Sequence, residues 1–547
     1  LSNILIGGAW PYANGSLHIG HIAGLLPADV IARYHRLKGD NVYYVSGSDC
    51  YGTPITIRAK EEKKSPLQVS DEYHEEFKEC FQKLGFSYDL YGKTTMKEHI
   101  EFVQGFHEHL YKSKYIYEKE VPQAYCPKCD SYLADRYVEG ICPKCKEKAR
   151  GDQCDSCGMV LEPEVLLNPT CKICGTSPVF KPSKHLYIAI SKLEEELKEF
   201  VGTYPEWRKN AISFTNHYIN DGLRDRAITR DLDWGIEVPK AGYEKKKIYI
   251  WAENVLGYLS MSHVVAEKRQ ESIENIWGKD AIHYYIHAKD NIPFHTIILP
   301  ALLLAYGKRK DSEYGYHLPD RIISNEYLTL EGNKISTSRN WAIWVKDIVD
   351  HYNPDSIRYF LITNGPEKRD TDFNFREFIQ SHNSELLGAY GNLINRTLVF
   401  IEKYFDSRVP GGILDGEIDD KLKGLYIDTG LRIENGQLKD ALDKLFHMIR
   451  ITNKYFDYNK PWETRTTDIA SCQNTLFNCV QVIANIAVLL EPFTPFSSNE
   501  VIEWFSLKKK WSIQYIEDSY VLPKTRILFE RIDHNRIVEE IQNLIKK

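Results

Sequence analysis

Apolar and polar positions change period twice within the first fifty residues. Ile4-Leu5-Ile6 is a continuous apolar run that stops at Gly7-Gly8, the pattern of a short buried strand. A turn-rich stretch with Pro11, Asn14 and Gly15 follows. Ile22, Leu25, Leu26, Val30 and Leu37 then recur at three-to-four spacing as far as Gly39, which predicts a helix with a glycine stop. Asn41 to Ser46 returns to β-branched and aromatic residues and predicts a second buried strand. Strand, glycine-containing turn, helix and strand form a βαβ unit, and such units build parallel sheets.

The pattern lapses between 115 and 185, where cysteine, glycine, lysine and proline replace apolar periodicity. It resumes with Ile248 to Trp251 as a strand, Asn254 to Val265 as a helix, Ile282 to His287 as a strand and Phe294 to Leu304 as a helix. After about 365 strand signals fade. Leu387, Leu393, Ile394, Leu442, Leu445, Ile449, Val480, Ile483, Ile486 and Leu489 keep helical spacing, which predicts an all-α domain.

Composition changes this picture little. A chain of 547 residues, 43% apolar and 27% charged, fits a soluble globular protein of two to four domains. No run of about 18 apolar residues is present, so no membrane span is expected. The first residues lack a basic flank and apolar core, so no signal peptide is expected and the location read from the sequence is cytoplasmic. The absence of Met at position 1 suggests that a few residues were trimmed. The net charge of −6 is silent on nucleic acid, because a basic patch can sit on an acidic protein.

The cysteines say more. Eight of the twelve form four CxxC pairs: Cys126/Cys129, Cys142/Cys145, Cys154/Cys157 and Cys171/Cys174. In a reducing compartment these read as metal ligands, two pairs to a tetrahedral zinc site. Two structural zinc ions are expected, with the pairing one of three. Cys142-x2-Cys145-x8-Cys154-x2-Cys157 closes locally and leaves Cys126, Cys129, Cys171 and Cys174 as an outer, nested site. A redox dithiol is the competing reading.

Two short polar segments carry the remaining chemistry. His18-Ile19-Gly20-His21 falls at the start of the first βαβ helix, where free N–H groups and the helix dipole favour anions. The histidines can donate to phosphate, and Gly20 lets a flat group lie close; taken alone, they read as a pair of surface histidines capping a helix. Lys334-Ile335-Ser336-Thr337-Ser338 with Arg339 sits in a polar loop beside Gly332, a phosphate clamp or a solvated basic turn.

Together these segments resemble the HIGH and KMSKS signatures of the class I aminoacyl-tRNA synthetases. Ser48 to Pro54, Ile250 to Tyr258, Ala288 to His295 and Asn325 to Glu331 resemble the methionyl-tRNA synthetase family within that class. The resemblance runs from residue 3 to at least 465. It implies a Rossmann-like α/β catalytic domain split by an insertion (1–114 and 226–320), two zinc knuckles in that insertion (115–225), a linker carrying the KMSKS loop (321–364) and an α-helical bundle that binds the anticodon (365–547). Family members with two knuckles have the nested arrangement.

The resemblance also implies the activity: methionine is joined to ATP as methionyl-adenylate, then passed to the 3′ end of tRNA(Met), initiator tRNA included. By matching position, His18, His21 and Lys334 are catalytic. ATP is bound by His18, Gly20, His21, Asp290, Lys334, Ser336 and Ser338, with Mg²⁺ accompanying it. Trp10, Tyr12, Trp251, Tyr258 and His295 line the methionine pocket, and Asp49 takes the ammonium group. Aromatic rings suit a flexible thioether through burial and sulfur–ring contact, although core packing is their commoner role. Asn392, Arg396 and Trp462 match the anticodon readers. Two of them, Asn392 and Arg396, stand one helical turn apart, and a Trp beside Pro461 suits stacking on an unpaired base.

Two departures stand out: Thr337 replaces a second lysine, and Cys50-Tyr51 replaces the expected Glu-His, which predicts a reshaped pocket. Three other functions compete. A synthetase of the Ile/Leu/Val subgroup would need a large editing domain where the knuckles lie. A zinc-ribbon nucleic-acid binder explains only 126–174. An inactive tRNA-binding paralogue conflicts with His18, His21, Lys334 and Asp49. The chain closes on a helix-like tail, so a monomer is expected.

Overall fold

The computed structural model describes residues 1–546 apart from 134, 152, 153, 155, 158, 160, 204–206 and 310–314, and the side chains of 136, 338 and 546 also lie outside the description. Five parallel strands form the central sheet: β1 (Asn3–Gly8), β2 (Asn41–Ser48), β3 (Leu90–Lys93), β4 (Ala281–Ala288) and β5 (Arg321–Asn325). Their order is β5-β4-β1-β2-β3, so the chain leaves β1 to one side for β2 and returns on the other as β4. Ligands of such sheets bind outside the strand C-termini at this reversal. The residues just past those ends are Ala9-Trp10, Asp49 and Lys289-Asp290.

Helix α1 (Ile19–Lys38) links β1 to β2 and stops at Gly39 with φ 95°. The predicted strand over Ile248 to Trp251 is shorter than expected. Only Lys247–Ile248 pairs, and Ile250–Glu253 is a helical turn. The run's β-branched and aromatic content reflects burial, which a short helix satisfies as well as a strand does. A 3-10 turn at Asn254–Leu256 follows, and the helix proper is Gly257–Arg269. Phe294–Ile298 is wound as a π-turn before Leu299–Tyr306.

The insertion folds on a long antiparallel pair, Ile116–Cys126 with Val179–Ile188, and carries a small sheet of Val138–Ile141, Lys148–Arg150 and Leu167–Cys171. The C-terminal region is helical except for Thr371–Phe373, which pairs in parallel with Leu328–Leu330, and an extended stretch before Asn535–Lys546. Its principal helices here are α2 (Asn392–Tyr404), α3 (Leu438–Asn459), α4 (Pro461–Thr467) and α5 (Ile469–Leu490). Among the described residues α5 alone is long and apolar enough to cross a membrane, by length and composition, and it is mostly buried inside the bundle as a core helix.

A buried ionic seam joins α1 to this bundle. Asp29 pairs with Arg33 at 2.9 Å and Arg358 at 2.7 Å, and Arg33 pairs with Glu491 at 2.6 Å. Arg358 also donates to the carbonyls of Pro492 and Phe493. Burial alone would raise the Asp29 carboxyl, but the two guanidinium groups hold it down at about 2.

Candidate active site

His18 is the N-cap of α1. Its Nδ1 accepts from the Gly20 N–H at 3.2 Å, and the His18 N–H donates to His21 Nδ1 at 3.1 Å. The rings stack at 3.8 Å. Burial, with His21 adding, takes His18 down to about 2, and burial takes His21 down to about 4. Both are neutral near pH 7. In a neutral imidazole whose Nδ1 accepts, the proton sits on Nε2. Capping and donation are therefore compatible: one nitrogen of each ring caps the helix, and the other is set as a donor.

The segment that follows the second signature is bonded to the first. Ile19 N–H donates to Ile343 O at 2.9 Å and Val345 N–H to Leu17 O at 2.8 Å, with His18 bridged to Trp344 between them. The loop leaves a hairpin of Leu328–Leu330 and Asn333–Lys334, turned at Glu331 (φ 47°) and Gly332 (φ 72°). Ser336 and Trp341 exchange backbone hydrogen bonds at 3.0 and 2.9 Å, enclosing the turn Thr337–Arg339. A Cβ on Gly20 would lie 3.3 Å from Ile335 Cδ1, so the two motifs touch. Lys334, Thr337 and Arg339 are exposed; the side chain of Ser338 is outside the described set.

Trp10 stands at the end of β1 with its ring wedged between two glycines. A Cβ on Gly47 or on Gly257 would come within 2.5 Å of that ring. Tyr258 meets Trp10 edge-on at 6.4 Å and sits over Gly7. The Tyr258 hydroxyl is 2.9 Å from His295 Nε2, and His295 Nδ1 is 2.9 Å from Asn291 O. A neutral His295, lowered to about 4 by burial, donates from Nδ1 and accepts at Nε2. The turn bearing Trp251 packs on the one bearing His295. Asp49, 3% exposed, pairs its backbone with the Tyr12 region through Pro11 O and Ala13 N–H. Burial pushes its carboxyl well up, and the Tyr51 N–H and the Asn254 side chain pull it part of the way back. Asp290 is exposed past β4 and accepts from the Tyr327 hydroxyl, in the segment that feeds the hairpin.

Cys50 and Tyr51 are both buried directly after Asp49, and the Tyr51 N–H donates to Asp49 Oδ1 at 3.3 Å. The Cys50 N–H donates to Thr94 Oγ1 at 2.9 Å, Cys50 O accepts from Trp234 Nε1 at 2.8 Å, and Tyr51 packs on Trp234 at 5.1 Å. The residues that the sequence reading missed are Gly47 and Gly257. Their only signal was glycine inside a strand and at a helix start, a mark of close approach.

The cysteines gather as two nested clusters, Cys126/Cys129/Cys171/Cys174 and Cys142/Cys145/Cys154/Cys157, each with all sulfurs within 4.8 Å. Facing pairs are 3.4 and 3.9 Å apart in the outer cluster, 3.8 and 3.5 Å in the inner. A tetrahedral zinc with ~2.3 Å bonds needs sulfur–sulfur edges of roughly 3.8 Å. Both clusters have the donors and the size to hold such an ion.

Far along the helical bundle, Arg396 on α2 pairs with Asp457 and lies 3.9 Å over the Phe456 ring. Trp462 on α4, 46% exposed, is 6.2 Å from the same ring. Asn392 leans on Asn453 of α3. An indole face, a guanidinium and an amide thus share one surface.

Two family models match the chain. A family model described as tRNA synthetases class I (M) matches residues 4–398, and one for the anticodon-binding domain of tRNA ligase matches 415–547. Methionine–tRNA ligase 1 of Alkaliphilus oremlandii is 53% identical over 99% of both chains, and methionine–tRNA ligase of Bacillus mycoides is also 53% identical over 99% of both. In fold, the chain is similar to Mycobacterium tuberculosis methionyl-tRNA synthetase in complex with methionyl-adenylate, with TM-score 0.81 and 20% identity over 97% of this chain and 100% of that one.

Proposed function

The chain belongs to the class I methionyl-tRNA synthetase family, and on that premise we propose that the site at the β1/β4 reversal joins methionine to ATP and hands it to tRNA. The five segments divide the work as they do in the sequence: catalytic halves 1–114 and 226–320, insertion 115–225, loop linker 321–364 and anticodon domain 365–547. Methionine, ATP and tRNA are the substrates; initiator tRNA is among them, and the protein works in the cytoplasm as a monomer.

Methionine's carboxylate attacks the α-phosphate in line and pyrophosphate leaves. Trp10, Tyr12, Trp251, Tyr258 and His295 enclose the thioether, with Asp49 on the ammonium. The Nε2–H groups of His18 and His21 donate to phosphate oxygens as charge builds, preorganised by the caps on their other nitrogens. Gly20 leaves room for adenine, and Asp290 with Ser336 and Ser338 borders the nucleotide. Lys334 closes on the leaving pyrophosphate. Mg²⁺ travelling with ATP neutralises the phosphates when bound. A ribose hydroxyl of the 3′ adenosine of tRNA then attacks the methionyl carbonyl, forming the ester as the acyl–phosphate bond breaks and AMP leaves, while Asn392, Arg396 and Trp462 read the anticodon. The cysteine clusters hold structural zinc, since four thiolates fill each one.

The backbone pairing of Leu17–Ile19 with Ile343–Val345 carries this reading, because it brings two weak motifs into one site. Amino-acid-dependent ATP–pyrophosphate exchange tests it. Methionine should support exchange above all other amino acids. Exchange with isoleucine, leucine or valine instead would move the chain to that subgroup. Exchange with none, alongside tRNA binding, would make it an inactive binder.

A further inference from the structure

Glu253 ends the helical turn Ile250–Glu253, two residues after Trp251, and its side chain is 1% exposed. None of the assigned roles uses it. Oε2 lies 3.0 Å from His99 Nε2, and His99 Nδ1 lies 2.8 Å from Ser260 Oγ. The same helix, Lys97–Leu110, braces the turn a second time, with His107 Nε2 at 2.9 Å from Ala252 O. One oxygen of Glu253 is thus held by a built relay.

The other oxygen is not. Among the described residues, no donor reaches Glu253 Oε1, although it is buried. A buried acceptor without a donor is costly and rare. The indole N–H of Trp10 is buried and unpartnered in the same way, and the Trp10 ring is 6.1 Å from that of His99. Asp49 completes the neighbourhood: Asn254, next to Glu253, supports its carboxyl. Burial and then the nearness of Asp49 push Glu253 well above the usual carboxylate range. Two buried carboxyls that oppose each other's ionisation are relieved by one cation placed between them.

We propose that Glu253 is a second acceptor for the α-ammonium of the amino-acid substrate, shared with Asp49, and that His99 is the positioning residue that aims it. This rests on the reading of the site as an amino-acid pocket. An ammonium has three N–H donors. Asp49 and Glu253 Oε1 take two of them, and the indole N–H of Trp10 is left for the substrate carboxylate.

Exchange kinetics of the full chain test this with wild type, Glu253→Gln and His99→Gln. The expected result for Glu253→Gln is a KM for methionine raised about 10- to 100-fold, the scale of one charge-assisted hydrogen bond, with the KM for ATP within about twofold. The inhibition constant of methionine's 2-hydroxy analogue, which lacks the ammonium, should stay put, so discrimination between the two falls by the same factor. His99→Gln should give a smaller version of the same split, and it carries the test if Glu253→Gln prevents folding. Unchanged methionine KM in Glu253→Gln overturns the proposal. So does a parallel rise of all three constants, the signature of a disturbed turn. Absence of methionine-dependent exchange in the wild type is a different failure: it removes the amino-acid reading itself.

Discussion

At the scale of single residues, the site is defined as much by what is missing as by what is present. Trp10 can lie across the strand ends only because positions 47 and 257 have no Cβ. Gly257→Ala would drive a methyl into the indole at 2.5 Å. Overpacking of this kind costs about 1–3 kcal/mol. The expected outcome is a several-fold higher KM for methionine with little change in KM for ATP, read by pyrophosphate exchange. Equal KM values in mutant and parent would mean that Trp10 does not shape the pocket. The sequence named Trp10 but not its glycines, because only the folded sheet brings 47 and 257 to one ring. For His18 the expectation is kinetic. His18→Ala should lower kcat for exchange by about 100- to 1000-fold, the usual worth of a preorganised donor. A drop confined to KM would place the histidine in ground-state binding.

At the scale of elements, two joints matter. The first is the short pairing between residues 17–19 and 343–345, which no periodicity could reveal because neither segment is a regular strand. The order of β1, α1 and β2 was legible, since each has its own clear period. Ile248 to Trp251 was misread because a buried helical turn and a buried strand share composition. The second joint is the face formed by α2, α3 and α4. If Trp462 stacks on an unpaired base, Trp462→Ala should weaken kcat/KM for tRNA by about 10- to 100-fold, matching ~1–3 kcal/mol per stacked base. Pyrophosphate exchange without tRNA should be untouched. A loss in both assays would indicate a folding role, and the packing of Trp462 on Phe456 makes that the outcome to watch.

At the scale of the molecule, the seam of Asp29, Arg33, Arg358 and Glu491 runs from the helix that begins at His18–His21 into the bundle. It was invisible to sequence reasoning, since its members are scattered and charge patterning sees only neighbours. Arg358→Met leaves Asp29 buried with one partner fewer, and breaking a buried pair typically costs about 3–5 kcal/mol. A thermal melt should show the loss.

Acid sensitivity is a second whole-molecule expectation. Burial lowers His107 and His295 to about 4 and His283 to about 3. Unfolded, each would take a proton near 6.5. The unfolded chain therefore binds more protons between these values. Stability is complete above about pH 6.5 and is lost as pH falls toward 4, by up to about 1.4 kcal/mol per pH unit for each histidine. Urea midpoints measured from pH 7.5 down to 5 should fall steeply; a flat profile would show that these rings are not neutral in the fold.

The neutrality of the His18–His21 pair has one more consequence, in ionic strength. Uncharged donors feel added salt far less than solvated cations do, since screening acts on net charges exposed to water. The two motifs should therefore separate in a salt titration. Capture of ATP at the helix end should change little between dilute and concentrated buffer. Any step that recruits Lys334 and Arg339, both exposed on the loop, should weaken. Salt alone then becomes a dial that turns one half of the site while leaving the other in place.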